Sequence, residues 1–189
     1  MNPGPLWAAA KALRVMHNHR VYTIEIDPEI SRQTASRPDR PANIEFLVGN
    51  SKDVLPRVIN ALNGSAVFWL DGHWCNVTDL GKDMECPVID ELHALRNQKE
   101  SVILIDDARG FLGPMPPPHD NAQWPRVDEI FLLLKSQFPA NMVTIADDVI
   151  YCIPPALVPV YEEDYIKQFR RRYEERPGLI KRVWNKITH

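Results

Sequence analysis

FWLDGHW, residues 68–74, reads as a buried strand that stops on an acid and hands an imidazole and an indole to the loop beyond it. The apolar run 66–70 (AVFWL) has no polar alternation, as a strand covered on both faces requires. The same pattern recurs at 101–105 (SVILI), which stops on Asp106-Asp107. Between them PVIDELHALRN, from Pro87, sets Val88, Leu92 and Leu95 on one helical face. Strand, helix, strand with matching acidic exits is the pattern of a βαβ unit and a parallel sheet.

Working outward, 20–26 (RVYTIEI) is the first clear strand, closed by Asp27-Pro28, and 28–35 follows as a helix. The run 44–48 is a strand ending at Gly49, and Ser51 can cap a helix carrying Val54, Leu55, Val58, Ile59 and Leu62. On the other side, 110–125 is a proline-rich loop whose MPPPHD segment is expected to be stiff and extended. A helix resumes at 127–135. Runs 142–146 and 149–153 flank Asp147-Asp148 as a hairpin. Leu6, Ala9, Ala10 and Leu13 predict a helix over 5–16, and Tyr165, Ile166, Phe169 and Tyr173 share one face of a C-terminal helical tail. The expected fold is α/β, a doubly wound, mostly parallel sheet with a C-terminal antiparallel hairpin. Residues 1–155 form the domain and 156–189 the tail.

The 189 residues suit one core, and 44% hydrophobic with 25% charged residues is ordinary for a globular domain. A formal charge of -3 gives no reason to expect nucleic acid or an anionic membrane as partner. No apolar run approaches the length of a membrane span, and the start lacks the pattern of a secretory signal. Cys75, Cys86 and Cys152 show no CxxC spacing, so a reducing cytoplasm is the expected compartment. From Tyr161 onward eight Lys/Arg face five Asp/Glu. The Arg170-Arg171-Arg172 run reads as a solvated helix face or an anion contact.

Ligands of an open parallel sheet bind beyond the C-terminal strand ends, so acids there carry the most information. Glu25 and Asp27 are placed to accept hydrogen bonds from ribose hydroxyls; a solvated strand end opening a turn is the alternative. Asp71, Asp106 and Asp107 leave neighbouring strands and would repel one another without a cation or a shared proton. Oxygen ligands point to Mg²⁺ or Ca²⁺, against the plainer reading of one capping and one solvated acid. His73 is a base, a ligand or a packing residue. Trp74 stacks on a base or fills the core, and Ser51 bonds a base edge or caps its helix. His17, His19, His93, His119 and His189 have no evident partners in the sequence.

Taken in order, VYTIEIDPE (21–29), VGNSKDVLP (48–56), FWLDGHW (68–74) and ILIDDAR (103–109) resemble class I S-adenosylmethionine-dependent methyltransferases. More narrowly, they resemble a bacterial branch with strands ending in WLDGHW and LIDDAR and a PPPHD…QWP loop, here 116–120 and 123–125. The order is also similar to catechol and Mg²⁺-dependent sugar O-methyltransferases. The resemblance implies that Glu25, with Asp27 beside it, holds the cofactor ribose. It implies that Ser51, Asp71, His73 and Trp74 line the nucleoside, and that Asp71, Asp106 and Asp107 hold Mg²⁺. Asp71, His73 and Asp107 would then serve catalysis on a sugar or small-metabolite hydroxyl, and the reading leaves room for a homodimer. The chain departs from the family in lacking the first strand with its Gly-x-Gly loop, since only Met1-Asn2-Pro3-Gly4 precedes the first expected helix. The expectation is therefore a sheet open between the strands that end at Glu25 and Asp71, and either a truncated or a non-catalytic relative. CNVTDLG (75–81) also replaces the family's glycine-rich stretch.

Overall fold

A computed structural model describes residues 20–76 and 78–173 as a mixed α/β structure. Strand β1 (Val21–Glu25) leads into helix α1 (Pro28–Ala35). Asp27 caps α1, accepting from the backbone N–H of Glu29 and Ile30, and Pro28 sits in the first turn, where its missing donor costs nothing. Strand β2 (Ile44–Val48) then pairs in parallel with β1. Helix α2 (Ser51–Ala61) follows, with Asn50 as its cap. The expectation of a Ser51 cap is thus off by one: the Asn50 side chain reaches Lys52 N at 3.1 Å, leaving Ser51 as the first helical residue.

The second half carries β3 (Val67–Leu70), α3 (Val88–Leu95), β4 (Val102–Ile105), α4 (Val127–Gln137), β5 (Met142–Ala146), β6 (Val149–Ile153) and α5 (Val158–Tyr173). Strands β3 and β4 are parallel, with Leu70 opposite Ile105, and the order across this sheet is β3-β4-β6-β5. Strand β6 runs antiparallel to both neighbours, so the expected terminal hairpin is present. Its turn residues Asp147 and Asp148 both have positive φ, as a two-residue hairpin turn demands.

The core lies on one face of that sheet. Phe68, Leu70, Ile103, Ile105, Ile150 and Cys152 alternate inward and meet Leu92 and Leu95 of α3, Ile130 and Leu134 of α4, and Leu55 of α2. Helix α2 is the joint of the molecule: it packs on both β1 and α3, and Ile24 of β1 reaches the same core. The opposite face is barer. Val67 and Trp69 are 54% and 46% exposed, and α5 approaches that face through Tyr161, whose ring lies 5.2 Å from that of Tyr151.

Among the described residues β1 pairs only with β2, and β3 only with β4. The two sheets are separate among the described residues. One other expectation is revised. Residues 116–119 turn instead of extending: His119 N donates to Pro116 O at 3.2 Å and the Pro117–Pro118 peptide is cis. Along the tail helix Ile166 and Phe169 are 50% and 48% exposed, and Tyr161 lies against Tyr151. The helix expected over 5–16, the side chains of Arg171, Arg172 and Tyr173, and His17, His19 and His189 lie outside the described residues.

Candidate functional site

The parallel strands deliver their last residues to one rim. The hydrogen bond from Asp106 N to Leu70 O (3.0 Å) continues the β3–β4 ladder by one step and brings the two acidic exits side by side. Asp107 then takes a left-handed conformation, φ 52°, which an acid tolerates better than most residues, and so turns its carboxylate back toward β3. Between the strand ends lies His73. Its Nε2 is 2.9 Å from Asp107 Oδ2 and its Nδ1 3.5 Å from Asp71 Oδ1. Ligand atoms of Asp71, His73 and Asp107, all half-buried, lie within 4.8 Å of one another, close enough to share a metal ion.

Electrostatics at this rim are strained. Burial pushes the Asp71 carboxyl up to about 7, repulsion from Asp106 and Asp107 adds to it, and a hydrogen bond from the Trp69 side chain opposes the rise. His73 is driven below its ordinary value by burial, against the pull of Asp107 and Asp106, so a neutral imidazole prevails at pH 7. On the solvent side Arg109 pairs with Asp107 at 2.5 Å and also with Asp148, whose carboxylate and carbonyl accept from Arg109 N and Ala108 N. The hairpin turn is thereby tied to the site.

The remaining sequence candidates divide. Glu25 ends β1, half-buried, and its Oε1 accepts from Asp27 N at 2.9 Å. Asp27 has the plainer role, with its carboxylate taken up by the α1 cap at 2.8 and 3.3 Å. Asp106 stands beside the trio and accepts from Asp107 N at 2.9 Å; His73 takes the third ligand position that the sequence gave to Asp106. The Asp106 carboxylate is engaged by the backbone of its neighbour, while the positive φ of Asp107 turns that residue's carboxylate toward His73. Trp74 is buried, and its indole N–H donates to Thr78 O at 2.6 Å, so it supports the loop from within.

Ser51 meets a residue that sequence reasoning missed. Its hydroxyl hydrogen-bonds Glu91 of α3, a carboxyl buried beneath Gly72 and pushed up to about 7, mainly by burial. Glu91, Gly72, His73 and Asp106 line a small cavity with Phe111 and Cys86. A second omission is Glu85, also buried, which accepts from Trp124 Nε1 at 2.7 Å and Asp120 N at 3.0 Å and lies 3.0 Å from His119 Nδ1. His119 therefore does have a partner, and so does His93, which meets Gln137 at 3.2 Å. No signal in the sequence separates Glu85 or Glu91 from solvated acids. The PPPHD…QWP motif carries His119 and Trp124 but not the carboxylate they meet.

Among the described residues the three cysteines are free, and no helix is long and apolar enough to cross a membrane. Comparison with protein-family models, with curated proteins and with solved structures finds no match to this chain.

Proposed function

We propose that this chain is a doubly wound, Rossmann-like methyltransferase-type domain. It would transfer a methyl group from S-adenosylmethionine to a hydroxyl of a sugar or small metabolite, with a divalent metal held by Asp71, His73 and Asp107. The observation that carries the reading is the convergence of Asp71, His73 and Asp107 at the ends of parallel strands, with the Glu25 strand end joined to them through α2. The order of the paired strands, β2-β1 and β3-β4-β6-β5, supports it as well.

The donor set fits a cation. Two carboxylates that repel one another gain a compensating charge, and an imidazole held neutral has its lone pair available. One nitrogen among the donors favours a first-row ion such as Mn²⁺ over the Mg²⁺ expected from oxygens alone. Such an ion supplies polarisation of the acceptor hydroxyl. The protein's own residues do the rest. Glu25 accepts from the cofactor ribose hydroxyls, while Gly72 and Ser51 bound the floor of the site. Asp71, whose carboxyl is pushed up to about 7, receives the hydroxyl proton on the oxygen that does not face the ion as the new C–O bond forms and the C–S bond breaks. The products are a methyl ether and S-adenosylhomocysteine. Positioning contributes most of the rate in such a displacement.

A second reading is a non-catalytic binding module of the same ancestry. It is favoured by the edges of β1 and β3, each of which among the described residues lacks a strand partner on one side. Calorimetry with S-adenosylmethionine, with and without Mn²⁺, decides between them. The enzyme reading expects saturable binding that weakens at least tenfold in Glu25→Gln, for one lost charge-assisted pair. It also expects methyl transfer to a panel of sugar hydroxyls. No binding, with Mn²⁺ present, leaves the module reading.

A further inference from the structure

The proline-rich loop is fastened to this site by a carboxylate that the proposed chemistry leaves unused. Glu85 is 2% exposed, and a buried carboxylate persists only where donors replace its water. Here all the donors come from one segment: the indole of Trp124, the backbone of Asp120 and the ring of His119. Burial pushes the Glu85 carboxyl up, yet these hydrogen bonds outweigh it and hold the group below its ordinary value. Glu85 N donates in turn to Gln123 Oε1 at 2.8 Å, and its carbonyl accepts from Trp74 N at 2.7 Å. One residue thus grips the loop with its side chain and the 71–75 turn with its backbone.

The grip has a direction. Trp124, fixed at its N–H, lies 5.6 Å from the His73 ring, tilted by 57°. The other sides of the indole are closed by Phe111 at 5.8 Å, His119 at 5.6 Å and Gly110, where an added Cβ would stand 3.1 Å from the ring. The indole therefore has little room to move while its N–H stays bonded. We propose that Glu85 is a positioning residue of the site, holding Trp124 and His119 as a fixed aromatic wall that sets the imidazole of His73 between Asp71 and Asp107. The proposal rests on reading that trio as the working centre. It adds that the wall, and not the two aspartates alone, orients the imidazole.

Full-length wild type, Glu85→Gln, Glu85→Ala and Trp124→Phe are compared by two measurements. The first is the ring-proton shifts of His73 in metal-free protein, which the Trp124 ring current displaces. The second is the affinity for Mn²⁺ alone by calorimetry. Glu85→Ala is expected to move the His73 resonances toward those of free imidazole and to weaken Mn²⁺ about tenfold or more, as loss of a ligand-orienting group does. Glu85→Gln, which keeps one carbonyl acceptor, moves both less. A folded Glu85→Ala with wild-type His73 shifts and wild-type Mn²⁺ affinity overturns the proposal. Should that variant not fold, Glu85→Gln decides by both readouts and Trp124→Phe by Mn²⁺ affinity alone: changed values uphold it and unchanged ones refute it. If wild type ignores Mn²⁺, the metal reading falls alone, and the His73 shifts still decide whether Glu85 positions the ring.

Discussion

At the scale of single residues, this site is built from acids that the fold holds against their preference for water. Glu91 gives the clearest consequence. Its carboxyl titrates near 7 when folded and near 4.3 in an unfolded chain. Below both values the group is neutral in each state and costs nothing. As pH rises past about 4.3 the unfolded state ionises first, and the penalty on folding grows until pH passes about 7. Glu91→Gln should therefore gain stability, by about 3 kcal/mol at pH 8, and little at pH 4. Urea unfolding at the two pH values checks this, and an equal effect at both would contradict the burial argument. Gly72 supports the same floor from above. A Cβ there would stand 3.0 Å from Ser51 Oγ and 3.1 Å from Glu91 Oε1, so Gly72→Ala should cost about 1–3 kcal/mol and displace the adjoining Asp71 and His73. Thermal unfolding reads the first effect and Mn²⁺ affinity the second. At the rim itself, Asp71→Asn removes one ligand of the trio and relieves repulsion among the acids. It should weaken Mn²⁺ by at least about tenfold while leaving the fold as stable or more so. Lost stability together with intact Mn²⁺ binding would remove Asp71 from the metal reading.

At the scale of elements, α3 carries the heaviest structural duty, since Leu92 and Leu95 are fully buried between sheet and helices while Glu91 faces the site floor. Leu92→Ala should destabilise by about 2–5 kcal/mol through lost transfer energy and the cavity left behind, measured by denaturant unfolding. The elements were largely legible in the sequence because their signals are local. Continuous apolar runs at 66–70 and 101–105, an Asp-Pro start at α1 and an alternating hairpin each act within a few residues. The α2 cap fell to Asn50 because Asn and Ser are near-equal capping residues and their order along the chain does not choose between them. The proline segment turned because its partners, Glu85 above all, are 34 to 39 positions away, beyond any local signal.

At the scale of the whole molecule, the division between β1–β2 and the four-stranded sheet sets the order in which the structure opens. The first pair is only partly buried, and the second holds the fully buried residues of β4 and β6. Native-state hydrogen exchange should therefore show amides of β1 and β2 opening at lower free energy than those of β4, with α2 intermediate as the joint. Uniform protection across both sheets would mean they unfold as one unit. The sequence alone determined the run of strands and helices, the parallel pairing with its antiparallel finish, and the arrival of acids at strand ends, because each follows from the period and punctuation of neighbouring residues. Tertiary structure alone decided that His73, not Asp106, joins Asp71 and Asp107, and that Glu85 and Glu91 are buried. Those outcomes depend on backbone direction and on contacts between distant segments, and a buried glutamate has the same letter as a solvated one.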